Sequence, residues 1–263
     1  MAKGAMIKVA VLLSVGRHPA SGRTRRAPLD ARALELALRL GGAEVHAVHA
    51  GDPAEPALRD YLGMGLARLT VLAVPEGGDP VPALAVHLRG FGPDLVLAGR
   101  CAEGGEDSGT VPYLIAERLG CALVPDVAGV TLAEGRAELI QALPRGRRQA
   151  VEAHPPVLAT IHPAAPEPRP FAFARARRGV IETIAAEAPP DTLAADCEIR
   201  PWRPRPKRLR LPAGGSALER LKAATETKAG AGNLMVNPDP DAAARAIYDY
   251  LLERRMIEGD GRD

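Results

Sequence analysis

The chain has 263 residues, of which 46% are hydrophobic and 25% charged, enough for one large α/β domain with an arm and too apolar for wholesale disorder. Its 34 Lys+Arg against 32 Asp+Glu leave a net charge of +2, which gives no ground for a nucleic-acid partner. Three scattered cysteines, Cys101, Cys121 and Cys197, make neither a disulfide framework nor a zinc site, and no run of about 18 apolar residues offers a membrane span.

Aromatic residues are only 3% of the chain, so Ala, Val, Leu and Ile must build the core. Such a core suits helices packed on a parallel sheet whose strands are buried on both faces. The apolar, β-branched run at 6–15 predicts the first such strand. A Gly/Pro/Arg loop follows over 16–27. Pro28-Leu29-Asp30 then opens a helix, with Ala31, Leu34 and Leu38 on one face and Gly41-Gly42 as its stop. Strands are predicted at 45–50, 69–74 and 94–98, alternating with helices at 55–64, 82–90 and 110–119. Strand, loop and helix, repeated four times, predict a doubly wound, mostly parallel sheet.

After Pro125 the pattern changes. Segments 127–132, 138–143 and 149–152 read as short antiparallel strands, and 156–161 as a buried strand returning to the sheet. From Pro163 to Arg210 the chain is rich in Pro, Ala and Arg and reads as an extended arm. A strand-like piece at 234–236 and an amphipathic helix at 239–255 close it. The expected division is an α/β nucleotide-binding domain over 1–195 and an arm with its helix over 196–263.

In an open parallel sheet, ligands sit beyond the carboxyl ends of the strands. The loop there with most chemistry is Gly99-Arg100-Cys101-Ala102-Glu103-Gly104-Gly105-Glu106-Asp107-Ser108-Gly109-Thr110. Its glycines permit close backbone approach, Ser108 or Thr110 can cap the following helix, and the free N–H groups at that helix start favour a phosphate. It matches neither phosphate fingerprint, GxxxxGK[ST] or GxGxxG, so a plain turn with an N-cap is the competing reading. Gly63-Met64-Gly65 reads as a helix end. His46 and His49 point to opposite faces of one strand and cannot share a metal. His18 reads as a solvated loop residue, and nothing in sequence marks Cys101 as activated. No catalytic residue set and no metal site emerges. Arg175, Arg177 and Arg178, and the run from Arg200 to Arg210, read as an arm packed on an acidic protein surface rather than a nucleic-acid patch.

The chain resembles the β subunits of electron transfer flavoproteins over about residues 6–185. The likeness rests on Ala27-Pro28-Leu29-Asp30 ahead of the first helix, on Leu58-Arg59 with Leu62-Gly63-Met64-Gly65, and on Pro93-Asp94-Leu95-Val96-Leu97-Ala98-Gly99-Arg100. It rests also on Ser108-Gly109-Thr110-Val111-Pro112, Glu167-Pro168-Arg169 and Arg175-Ala176-Arg177-Arg178. Ala27 stands where the family has Asn, and the first hairpin is shorter.

The resemblance implies a sheet of the adenine-nucleotide α-hydrolase-like type and a heterodimer with an α subunit that holds most of an FAD. This chain would be an electron carrier subunit in the bacterial cytoplasm rather than an enzyme. It would hold a structural AMP through Leu12, Ala27, Pro28, Leu29, Asp30, Ala50, Gly51, Gly99, Arg100, Gly104, Gly105, Asp107, Ser108, Gly109 and Thr110. Its partners would be a donor dehydrogenase and an electron transfer flavoprotein–quinone oxidoreductase. The stretch 170–174 is shorter than the family's docking loop and lacks its leucine. The donor is therefore expected to be other than a general fatty acyl-CoA dehydrogenase, such as one oxidising an N-methylated amino acid, with Phe171 or Phe173 as replacement anchor. A stand-alone nucleotide-binding module of the universal stress protein type is the alternative.

Overall fold

The first strand, β1 (Ile7–Leu12), serves two cores by simple alternation. Val9 and Val11 join one apolar cluster, and Ala10 and Leu12 join the other. In the computed structural model the described residues are 6–104, 108–133, 135–198, 200, 216 and 235–253. The chain divides into two units, residues 1–199 and 200–263.

The first unit continues through β2 (Val15–Arg17), β3 (Thr24–Arg26), α1 (Pro28–Arg39), β4 (Ala43–Gly51), α2 (Arg59–Leu62), β5 (Arg68–Ala73), α3 (Pro80–Phe91), β6 (Leu95–Gly99) and α4 (Val111–Leu119). Then come β7 (Ala122–Ala133), β8 (Arg136–Ala142), β9 (Arg148–Ala153), β10 (Val157–Ile161), α5 (Phe173–Arg178), β11 (Val180–Ala185) and α6 (Thr192–Asp196). Nine strands form one sheet in the order β11-β5-β4-β1-β6-β10-β7-β8-β9, and β2 and β3 form a separate hairpin. From β11 to β7 every pairing is parallel, and β8 and β9 add antiparallel strands at one edge.

Helices cover both faces. Leu34 and Ala37 of α1, with Tyr61, Leu62 and Met64, close over Val9, Val11, Leu95 and Leu97. On the other face Val81, Leu84 and Leu88 of α3 and Ile115 of α4 cover Ala10, Val48, Val96 and Leu158. Each such Leu or Ile, fully buried, contributes about 1.5–3 kcal/mol of transfer free energy. The doubly wound, mostly parallel sheet expected from the alternating pattern is the observed one.

Four local expectations are corrected. The strand at 6–15 stops at Leu12, because the Ser14 N–H leaves the ladder for the Asp30 carboxylate. The helix at 55–64 is a 3-10 turn at Pro56–Leu58 and the four residues of α2, ended where Gly63 and Gly65 let the segment after β10 lie close. The arm from Pro163 is part of the first unit as far as residue 199, and within it β11 pairs with β5 from Val180 opposite Arg68 to Ala185 opposite Ala73. Met235 and Val236 are not strand. In the second unit the closing helix is observed as α7 (Pro240–Glu253). Trp202, Arg203–Arg210, Leu234, Gly105 and Asp107 lie outside the described residues.

Candidate functional site

The order of the sheet reverses direction at β1, which lies between β4 and β6. The crevice at the carboxyl ends of β1 and β6 is therefore the switch point at which such sheets bind ligands. One side chain ties its two banks. Asp30, in the first turn of α1, accepts from the Ser14 N–H at 2.6 Å and hydroxyl at 2.5 Å, and from the Gly99 N–H at 2.8 Å. A Cβ on Gly99 would overlap the Asp30 carboxylate, so this approach needs glycine. Burial raises the Asp30 carboxyl to about 6 against the pull of the Ser14 and Gly99 donors, and the Glu103 charge adds to the rise.

Tyr61 fixes the β1 bank. Its hydroxyl donates to the Ser14 carbonyl at 2.7 Å and accepts from the Ala27 N–H at 2.8 Å. His49 of β4 lies against the Leu13 carbonyl, Nδ1 to O 2.8 Å, and burial holds its imidazole below its ordinary pKa. These contacts set Leu12, Ala27, Pro28, Leu29 and Asp30 around one bank of the crevice, with Gly99 across from them.

The glycine-rich loop is held from above by the β2–β3 hairpin. Arg25 grips Glu103 with two bonds, Nε to Oε2 at 3.0 Å and Nη2 to Oε1 at 2.7 Å. Gly16 leaves room for that carboxylate, and Gly104 lies near the Val15 carbonyl. At Gly109 the backbone takes φ +69°, and a Cβ would strike the Arg100 carbonyl. Arg100 points away to Asp126 at 3.4 Å. Ser108 and Thr110 hydroxyls meet at 2.9 Å. At the end of β3, Arg26 Nη1 is buried without a hydrogen-bond partner among the described residues.

Ala50 and Gly51 lie on the far side of β1 from this loop. With Asp52, Pro53, Ala73, Val74, Pro75, Glu76, Gly78 and Pro80 they line an open cleft of about 730 Å³ at the ends of β4 and β5. Residues 99–110 are not among its lining residues.

The segment after β10 docks on α1 and α2. Arg32 reaches the Ala165 carbonyl and Glu167. Buried Glu35 accepts from Arg169 Nε at 2.7 Å and N–H at 3.1 Å, and from Arg39 Nε at 2.7 Å. The Gly63 carbonyl receives the Ala172 N–H. Phe171 packs on Gly63, whereas Phe173 is 72% exposed. The Glu-Pro-Arg motif is thus a clamp on α1. Sequence reading did not single out Tyr61, Arg25, Arg26 or Glu35. The Glu35/Arg39 spacing on one helix face was the only visible signal among them.

The profile of the electron transfer flavoprotein domain matches residues 21–189. A protein named electron transfer flavoprotein subunit beta, from Chromohalobacter salexigens, is 45% identical over 256 residues, which covers 95% of this chain and 96% of the relative. Another of the same name, from Syntrophomonas wolfei, is 35% identical over 118 residues, 42% of this chain and 46% of the relative. The matched span runs from the turn of the β2–β3 hairpin to the loop beyond β11 and so includes Ala27–Asp30, the glycine-rich loop and the Glu-Pro-Arg clamp, and the chain belongs to the electron transfer flavoprotein family as a β subunit.

Proposed function

We propose that this chain pairs with an α subunit that holds most of an FAD, and that its own switch-point crevice holds AMP as a structural ligand. The observation that carries the nucleotide reading is a contrast in capping. α3 is capped by Asp79, which accepts from the Val81 N–H. α1 and α4, the two helices that start at the crevice, have no side-chain cap. Apart from Pro28 and Pro112, which have none, their first-turn N–H groups suit an anion, which helix N-termini favour.

The residues fit a nucleotide. Ser108, Gly109, Thr110 and the start of α4 would take the phosphate, and half-buried Arg26, whose Nη1 has no hydrogen-bond partner among the described residues, adds positive charge at the hairpin. The small apolar walls at Ala50, Gly51, Ala73 and Val74 suit a base and ribose, while Asp52 and Glu76 turn a phosphate away from that end. Asp30 and Tyr61 hold the banks at fixed spacing, and the Arg25–Glu103 contact keeps the hairpin over the loop. FAD, when bound, supplies the redox chemistry and AMP supplies none. The chain would act as a carrier subunit in the bacterial cytoplasm, taking electrons from a donor dehydrogenase to an electron transfer flavoprotein–quinone oxidoreductase.

Two surfaces support assembly. Ile247, Tyr248 and Tyr250 of α7 are exposed, as expected if residues 196–263 form an arm that packs on the α subunit. Phe173 offers an aromatic anchor of the kind that dominates small interfaces. In the shortened 170–174 stretch it favours a dedicated donor, such as a dehydrogenase of N-methylated amino acids, over a general fatty acyl-CoA dehydrogenase. Reduction of the purified heterodimer by medium-chain acyl-CoA dehydrogenase and its substrate should be slow, and rapid saturable reduction would remove that donor assignment. Co-expression with an α subunit should give a yellow complex carrying FAD and acid-extractable AMP. A flavin-saturated single chain would contradict the assignment, and an AMP-free complex would contradict the nucleotide reading.

A further inference from the structure

A second cluster lies on the α3 face of the sheet, away from the crevice. His46 of β4 stands opposite Ala10 in the parallel register, so its side chain shares the face that α3 covers. His87, in the last turn but one of α3, meets it there with Nε2 to Nε2 at 2.7 Å. The ring centroids are 5.0 Å apart and the planes differ by 27°. At that nitrogen separation the rings meet edge to edge, each aiming Nε2 at the other. Phe91 stacks on His46 at 4.6 Å and steadies the ring. Both imidazoles are half-buried, which leaves a route from solvent.

We propose that His46 and His87 form a two-histidine site for a divalent first-row transition metal such as Zn²⁺, completed by water. Imidazole suits these ions. The present contact needs one ring to donate from Nε2 and the other to accept. Moving the donor's proton to its own Nδ1 frees both Nε2 lone pairs, so binding releases no proton. Tetrahedral Zn²⁺ with Zn–N of about 2.0–2.1 Å sets its nitrogens about 3.3 Å apart, so the rings part by about half an ångström and each turns by about 35° to swing its Nε2 lone pair from the other ring onto the metal. Burial holds both imidazoles below their ordinary pKa, which keeps them neutral as ligands. Glu44, on the same face of β4, and Glu182 of β11 direct negative charge at His46. On the opposite side of the balance, Lys8 is bound to the Phe91 carbonyl and Arg68 to Glu182. No group of three or more His, Cys, Asp or Glu converges among the described residues. The site is thus open and exchangeable, unlike a closed four-ligand structural zinc. A metal here would clip β4 to α3 and raise stability by mass action.

The test is Zn²⁺ titration of the full chain against a chromophoric indicator, with thermal melts with and without Zn²⁺, for the wild type, His46→Gln and His87→Gln. The wild type should bind and melt higher with excess Zn²⁺. Each substitution should weaken binding at least about tenfold and abolish the shift. Metal-free melts check folding, and because the two residues lie on different elements, either variant that folds decides the matter. Wild type that binds nothing at about 1 mM Zn²⁺, or binding equal in the folded variants, overturns the site.

Discussion

Asp30 and Glu35 are both on α1 and both buried, at 5% and 3% exposure, yet their carboxyls move in opposite directions. Burial pushes each up. At Glu35 the Arg169 and Arg39 guanidinia more than offset that push and hold it below the ordinary range. At Asp30 the donors are neutral, the Ser14 hydroxyl and N–H and the Gly99 N–H, and the carboxyl stays raised at about 6. The difference separates two jobs for one helix. Its middle is an ion-paired clamp for the chain that returns after β10. Its start is a tie, held by neutral donors alone, between the carboxyl ends of β1 and β6. Perturbed groups of the second kind mark functional sites more often than those of the first.

The comparison is broken most directly at the clamp. Glu35→Ala takes the shared partner from two guanidinia that are themselves 55% and 33% exposed, so the cost is that of lost charge-assisted hydrogen bonds, about 1.5–3 kcal/mol, rather than of a charge left buried. Urea unfolding should register a cost in that range, and one below about 1 kcal/mol would mean the clamp is decorative. Asp30 tests the other end. Its folded pKa lies above the ordinary 3.8, so the folded chain binds the proton more tightly. Its contribution therefore falls as pH rises from about 4 to 6, by about 3 kcal/mol in all. The stability difference between wild type and Asp30→Asn should decline across that window and be flat above about pH 7. A difference that rises with pH would refute the raised carboxyl. Glu35 has the reverse sign: its stabilisation is present above the ordinary carboxylate pKa and is lost as pH falls through its lowered folded value.

Smaller effects sharpen the contrast. Tyr61→Phe removes a bond to the Ser14 carbonyl and one from the Ala27 N–H. It should cost about 1–3 kcal/mol in denaturant and lower the AMP retained by the purified heterodimer. Glu103→Gln loosens a half-exposed ion pair and should cost under about 1 kcal/mol. Its trace should be faster proteolysis of the hairpin rather than a shifted denaturation midpoint. Unchanged proteolysis would mean that Arg25 does not hold the hairpin down.

The strands and long helices were legible because their residues alternate or recur by local rule: Val9 and Val11 face one way, Ala10 and Leu12 the other. The glycine-rich loop was legible because glycine spacing after a buried strand is a local pattern. β11 was missed because Val180–Ala185 sits at an edge, half exposed, amid Pro- and Arg-rich sequence. The Asp30–Gly99 and Glu35–Arg169 contacts join residues far apart in the chain, and no local pattern announces such pairs. His46 and His87 were unreadable together for the same reason, since only the packing of α3 on β4 makes them neighbours.

The measurement that tests the central claim most directly is the small-molecule content of the heterodimer purified after co-expression of this chain with an α subunit. Acid extraction and chromatography should yield FAD and AMP in equal amounts, with AMP lost and FAD kept when Gly109 is replaced by Val, which cannot take φ +69° beside the Arg100 carbonyl. A complex that carries FAD but no AMP in the wild type, or that keeps AMP undiminished in Gly109→Val, would contradict the assignment of the nucleotide to this crevice.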